Sequence, residues 1–393
     1  MTCQHCSIIP SYILKDIAES SNVSQTVRDI ATKSFAHTAA IHHARTSAQG
    51  KGFGPPAALR TSAGPAPEPL NREIYDAQQR GFDDLPGRKV FADNDVSLQD
   101  LKDESVINVH GHFQKVFDFY QKVFKRNSFD DKGAKLVISV HFDGDPGRGY
   151  DNALWLPSPN PNPDPQKPSQ WCFGDGDFVV FDNFTNILDI AAHEFTHAVV
   201  EHTGILPYYY QSGALNESIS DVFGSMIKQY FAPGGPQKAK DADWLIGEGL
   251  FLVPGGRALR DMVNPGTAYN IPGVTADRQR RDYQNIPLWE DNGGVHINSS
   301  VPNRAFVLVA KALGGFSWEV AGPIWYASLT DPRLREAFTW DDGKPIDDRW
   351  EQIRRSRKTF KFFANLTVEY ARAHWPDAVE AVQNAWMEVG VLR

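Results

Sequence analysis

Asp189-Ile190-Ala191-Ala192-His193-Glu194-Phe195-Thr196-His197-Ala198-Val199-Val200 is the stretch on which the reading of this chain turns. It places His-Glu-x-x-His inside a run compatible with a helix. Four helical steps of about 100° return nearly to the same face, so His193 and His197 can aim two imidazoles at one point. Glu194 lies one step round, close enough to touch metal-bound water without ligating the metal. The apolar neighbours Ile190, Ala191, Ala198 and Val199 bury the helix and keep such a site rigid and partly dry. Taken alone, two histidines four apart are sometimes surface polars or satisfied core residues.

A second stretch changes that balance. In Gly213-Ala214-Leu215-Asn216-Glu217-Ser218-Ile219-Ser220-Asp221-Val222-Phe223-Gly224, two carboxylates four residues apart interrupt a helix of small and apolar residues. A buried carboxylate without a partner is costly, and a zinc ion is such a partner. Glu217 as third ligand completes a His2Glu set with its fourth position left for water. A helix dipole would account for an acid at Glu217, but not for Asp221.

These residues resemble those of the thermolysin-like zinc metallopeptidases. His-Glu-Phe-Thr-His is followed, after nineteen intervening residues, by the glutamate of Asn-Glu-Ser-Ile-Ser-Asp. The interval is one longer than is typical of the related zinc aminopeptidases. The resemblance runs from about residue 72 to 393 and is nearest the protealysin-like branch, whose members have a short propeptide. It implies an α+β, two-lobed fold: residues 71–203 as a β-rich lobe ending in the zinc helix, and 204–393 as a helical lobe. It also implies that Asp221 orients His193 and that Asn216 holds His197.

Further along, Asp291-Asn292-Gly293-Gly294-Val295-His296 reads as a turn presenting a histidine beside an acid. By the resemblance His296, oriented by Asp291, donates to the oxyanion that forms on the peptide carbonyl, where one preorganised donor is worth about 10²–10³ in rate. Tyr208 falls at the place of a second donor, chosen over Tyr209 and Tyr210 on spacing alone. Arg260 matches a residue that binds the substrate carbonyl, and Asn152 and Ala153 match an edge that aligns substrate by strand addition. Phe181, Phe184, Ile190, Ile246 and Leu259 would line the primed-side pocket, so cleavage before bulky hydrophobic residues is expected.

Calcium is a separate matter. Asp189, Asp243 and Glu248 match family calcium ligands, but Lys228 stands where the double site has a bridging glutamate. At most one calcium ion is expected, with Lys228 pairing the remaining carboxylates.

The N-terminal portion reads as a self-inhibiting propeptide and linker, residues 1–70. Ile13, Ile17, Val23, Val27 and Ile30 recur at helical spacing, and residues 48–70 are a Gly/Pro/Ala stretch that cannot form a continuous helix. Composition alone leaves an ordinary flexible tail open. Ile8-Ile9-Pro10-Ser11-Tyr12-Ile13-Leu14 resembles the propeptide motif of the protealysin-like branch, with Ser11 in place of a second proline. A thiolate from Cys3 or Cys6 on the zinc is a sharper, less favoured version.

Composition narrows the classes. Of 393 residues 41% are hydrophobic and 22% charged, an ordinary globular balance, and the formal charge of −8 gives no nucleic-acid footprint. No apolar run is long enough for a membrane span. The N-terminus has no basic start followed by an apolar stretch, so export by a non-standard route or a cytoplasmic location is expected. Three cysteines make no disulfide framework. A helix through residues 113–124 and strands at 134–142 and 171–181 are predicted, and 156–170, with six prolines, reads as an exposed loop. The whole reads as a monomeric endopeptidase acting on proteins and peptides. A non-catalytic relative would be expected to lose Glu194, a ligand or His296, and none is lost.

Overall fold

The computed structural model describes residues 7–46, 69–95, 97, 101–143, 149–158, 167–340 and 342–393. Cys3, Cys6, nearly all of the 48–70 linker and the centre of the proline-rich loop lie outside the described residues. Two helices open the chain, α1 (Ser11–Glu19) and α2 (Gln25–Thr46). Their apolar spacing does what it predicts: Ile13, Ile17, Val27 and Ile30 are buried. Ile8, Ile9, Ile13, Leu14 and Ile17 belong to the same apolar cluster as the centre of the molecule.

A five-stranded sheet follows, from β1 (Arg72–Asp76), β2 (Arg88–Ala92), β3 (Leu136–Val140), β4 (Ala153–Leu156) and β5 (Gln170–Phe173), in the order β2-β1-β3-β5-β4. β1, β3 and β5 run parallel, while β2 and β4 pair antiparallel at the two ends. The central strand β3, Leu-Val-Ile-Ser-Val, is buried throughout, as expected for a strand covered on both faces. β4 lies at the end of the order, so one side of its backbone is available to another chain segment.

The strand expected over 171–181 stops at Phe173. A Cβ on Gly174 would stand 2.0 Å from the Tyr150 carbonyl oxygen, and Gly176 has φ +77, so the chain turns away. Alternation alone could not show that break. Beyond it, Asp177 Oδ1 accepts the N–H groups of Val179, Val180 and Phe181 and closes a loop.

Helix α3 (Glu104–Phe124), capped by Asp103 on the Val106 N–H, buries Phe113, Val116, Phe119 and Tyr120. α4 (Leu188–Glu201) carries the His-Glu-x-x-His stretch, and α5 (Tyr210–Tyr230) packs against it. Small residues allow this close approach. A Cβ on Gly224 would lie 2.9 Å from the Asp189 carbonyl oxygen.

Two short hairpins come next, β6 (Leu245–Ile246) with β7 (Arg260–Asp261), and β8 (Asn270–Ile271) with β9 (Thr275–Ala276). Helices α6 (Asp291–Asn298), α7 (Ser300–Leu313), α8 (Ala321–Thr330), α9 (Pro332–Glu336), α10 (Arg349–Ser356), α11 (Thr359–His374) and α12 (Val379–Glu388) complete the chain. A sheet-containing lobe thus leads through α4 into a helical one, the architecture expected. Among the described residues no helix is long and apolar enough to cross a membrane.

Candidate active site

Helical geometry brings His193 and His197 together on α4. Their Nε2 atoms are 2.9 Å apart, and Glu217 on α5 reaches both, 3.4 Å from His193 Nε2 and 3.5 Å from His197 Nε2. All three are fully buried. Among the described residues they are the one group of acidic, histidine or cysteine side chains with metal-ligand spacing.

The partners on the far side of each ring fix the tautomers. His193 Nδ1 lies 2.9 Å from Asp221 Oδ1, and His197 Nδ1 lies 2.9 Å from Asn216 Oδ1, both acceptors. Each Nδ1 must therefore carry a proton, which leaves Nε2 as the atom that a neutral ring can offer to a metal ion. Burial holds the His197 ring down to about 3, which keeps it neutral. With both rings neutral, two lone pairs and a carboxylate converge on one point; burial opposes a charge on His193, but Asp221 and Glu217 prevail and favour an added positive charge there. Such an arrangement repels itself unless a cation occupies the centre, so these residues fit a zinc ion.

Asp221 is held from three sides. Arg260 donates to Oδ2 from Nε and to Oδ1 from Nη2, both at 2.8 Å, and Asn303 Nδ2 donates to Oδ2 at 2.8 Å. Arg260, expected only as a substrate ligand, therefore also anchors the residue behind His193. Asn303, near the start of α7, was not foreseen from the sequence. The signal was an amide at the start of an otherwise apolar run. Ser220 Oγ, 3.0 Å from His197 Nδ1, was also missed.

Glu194 faces the same centre. Its Oε2 accepts the Trp155 N–H at 2.8 Å, and its Oε1 is buried without a hydrogen-bond partner. Burial, reinforced by the charge of Glu217, pushes this carboxyl well above the usual carboxylate range. His296 comes from α6, whose Asn292, Gly293 and Gly294 all adopt positive φ and turn the chain so that the ring points inward. Its Nδ1 lies 2.5 Å from Asp291 Oδ1 and its backbone N–H donates to Asp291 Oδ2 at 2.8 Å. Burial opposes a charge on this ring, but Asp291 and Glu217 prevail and raise its pKa to about 9. Of the three adjacent tyrosines it is Tyr208 that points in: its hydroxyl donates to Glu217 Oε1 and lies 3.2 Å from His296 Nε2.

The N-terminal segment crosses this site. Ser7 pairs antiparallel with Leu154 at the free side of β4, and the Ile8 N–H donates to the Ala153 carbonyl at 3.1 Å. His296 Nε2 lies 3.0 Å from the Ser7 carbonyl oxygen, and Arg260 Nη1 donates to the Ile8 carbonyl at 3.2 Å. The Ile9 N–H donates to Asn152 Oδ1 at 3.0 Å. His296, Arg260, Asn152 and Ala153 thus all hold backbone atoms of this chain's own N-terminal segment.

Phe181, Phe184, Ile190, Ile246 and Leu259 are all buried in the central cluster. The expected calcium ligands surround an ammonium. Lys228 Nζ lies 3.0 Å from Asp243, 3.4 Å from Glu248 and 3.7 Å from Asp189, and donates to the Leu245 carbonyl at 3.3 Å.

Comparison with known proteins agrees with this geometry. Residues 65–201 match the thermolysin metallopeptidase catalytic domain, and residues 205–345 match the thermolysin metallopeptidase alpha-helical domain. The chain is 39% identical over 395 residues to an extracellular metalloprotease of Pectobacterium carotovorum subsp. carotovorum, covering 98% of this chain and 96% of that protein. It is 37% identical over 390 residues to Protease PrtS of Photorhabdus sp. (strain Az29), covering 98% and 91%. A solved structure, the precursor of protealysin, a metalloproteinase from Serratia proteamaculans, superposes with a TM-score of 0.74 at 36% identity, over 98% of this chain and 99% of that one.

Proposed function

Because the chain belongs to the thermolysin family of metallopeptidases, and is on that ground a metalloendopeptidase, we propose that it is made as a self-inhibited, self-processing precursor that cleaves before bulky hydrophobic residues. Residues 1–70 are the propeptide and linker, 71–203 the sheet-bearing catalytic lobe, and 204–393 the helical one. The observation that carries the catalytic part is the convergence of His193 Nε2, His197 Nε2 and Glu217 with the protons on the far side of both rings.

His193, His197 and Glu217 would hold the zinc. Held there, a zinc ion would supply Lewis acidity toward a water molecule and a peptide carbonyl. Asp221 and Asn216 keep the two rings in the tautomer that presents Nε2. Glu194, whose Oε1 is unpartnered and whose burial raises its affinity for a proton, starts the step as the carboxylate, takes the water proton and delivers it to the leaving nitrogen. His296, kept charged near neutral pH by Asp291, donates to the developing oxyanion, and Tyr208 adds a second hydroxyl donor. Asn152, Ala153 and Arg260 align the substrate backbone. The apolar Phe181, Phe184, Ile190, Ile246 and Leu259 receive the side chain after the cut bond, and apolar fit of this kind discriminates by about 1–3 kcal/mol per methylene.

Self-inhibition is supported by the seating of Ser7 to Ile9. They use the hydrogen-bonding groups that a substrate would need, with the Ser7 carbonyl on His296 and the Ile8 carbonyl on Arg260. Relatives named as extracellular proteases support export from the cell. The protein acts as a monomer on protein and peptide substrates.

Glu194→Ala tests the reading. The variant should keep its full mass on storage with zinc, while the wild type trims itself within the linker. Trimming of both at the same rate would show that cleavage comes from another enzyme.

A further inference from the structure

We infer that the Ser7–Ile8 peptide bond lies in cutting register, so that each chain hydrolyses this bond of its own N-terminal segment and stays blocked by the product that begins at Ile8. The inference rests on the roles proposed above for His296, Arg260 and Glu194, and it names a cleavage site outside the linker.

Backbone partners set the register. The carbonyl of a bond about to be cut must face the oxyanion donor. His296 Nε2 lies 3.0 Å from the Ser7 carbonyl oxygen, with the Tyr208 hydroxyl 3.2 Å from the same nitrogen. The next carbonyl, that of Ile8, accepts from Arg260 instead. The Ile9 N–H and carbonyl both meet the Asn152 side-chain amide, at 3.0 and 3.4 Å. From Ser7 to Ile9 the partners therefore run oxyanion donor, arginine, asparagine, along a segment antiparallel to β4. A slip that carried the Ile8 carbonyl to His296 would take it from Arg260.

The side chain after the bond agrees. Ile8 is fully buried and belongs to the apolar cluster that holds Phe181, Phe184, Ile190, Ile246 and Leu259. A bulky apolar residue thus stands where the proposed specificity asks for one. In the step, a water oxygen joins the Ser7 carbonyl carbon and the bond from that carbon to the Ile8 nitrogen breaks. Glu194 takes a proton from the water and passes it to the Ile8 nitrogen, leaving a Ser7 carboxylate and an Ile8 amine.

Such a cut does not unblock the cleft, because the anchors lie on the Ile8 side. Ile9, Ile13, Leu14 and Ile17 are buried in the body of the molecule, and Asp16 pairs with Arg278. Only residues 1–7 are set loose. Ser7 is 4% exposed, so a second molecule cannot reach the bond and the cut is made within one chain.

The test is intact-mass analysis of the full-length chain, purified in a chelator and then given zinc, at a low and a high protein concentration. A chain beginning at Ile8 should form at the same first-order rate at both, before hydrolysis of a blocked peptide rises, and Glu194→Ala should keep residues 1–7. Ile8→Ala should slow the cut by about tenfold or more, and Ile8→Leu should restore it. A Ser7–Ile8 bond left whole in a chain that trims its linker or hydrolyses the blocked peptide would overturn the inference while leaving the proposed function standing. A rate that rises with concentration would overturn it too. A zinc-loaded chain that cuts neither itself nor the peptide would count against the proposed function instead, and amide exchange in Glu194→Ala then decides the register. There, adding Asn152→Ala should expose the Ile9 N–H and leave the Ile8 N–H protected; any other pattern overturns the inference.

Discussion

Lys228 shows how a single side chain can change the ion demand of a fold. Its ammonium stands among Asp189, Asp243 and Glu248, so their charges are already answered. The wild type should show little calcium-dependent change in melting temperature. Lys228→Glu should melt lower in a chelator, because it adds a fourth acid to the group, and should regain stability with calcium. Calorimetry with and without calcium checks both halves. His141 offers a second test at this scale. Asp175 is the largest influence on it, and together with Asp103 it raises the ring to about 9 against burial. Since the folded-state pKa lies above the ordinary 6.5, this contribution is complete below about 6.5 and is lost as pH rises through about 9. His141→Asn, which tolerates the local φ of 55, should lower the melting temperature by a few degrees at pH 6 and hardly at pH 10. An equal loss at both values would remove the ionic explanation.

Among the elements, α1 is the piece whose attachment would decide latency under the proposed self-inhibition. Asp16 binds Arg278 at 2.7 and 2.9 Å and accepts from Thr275 at 2.8 Å, while Arg278 lies over the Tyr12 ring at 4.6 Å. Both charged groups are partly exposed, so the pair contributes about 0.5–1 kcal/mol. Asp16→Ala should let the uncut precursor hydrolyse a blocked peptide a few times faster than wild type, measured by initial rates. The legibility of the elements followed their physics. α2, α3, α4, α5 and α7 declare themselves by apolar spacing, and the central strand β3 by its apolar run. Local pattern could not reveal the end of β5, because Gly174 answers to the Tyr150 carbonyl more than twenty positions away. The zinc residues were legible because one helix fixes His193 relative to His197. Asn303 and Ser220 were not, since their service to Asp221 and His197 exists only after α4, α5 and α7 have packed.

At the scale of the molecule, two lobes contribute to one buried centre, α4 on one side and α5 and α6 on the other. Stripping the zinc with a chelator should abolish peptide hydrolysis by the processed enzyme, and one equivalent of zinc should restore it. Activity that persists in metal-free protein would remove the proposed chemistry. The seating of Ser7, Ile8 and Ile9 along β4 has a kinetic corollary. While the chain is continuous, the blocking strand is tethered, with an effective local concentration in the millimolar range or above. Under the proposed processing, a cut in the linker would change the molecularity without altering any of these hydrogen bonds. The severed piece would then become an ordinary reversible ligand, and dilution as much as scission would decide when the enzyme wakes.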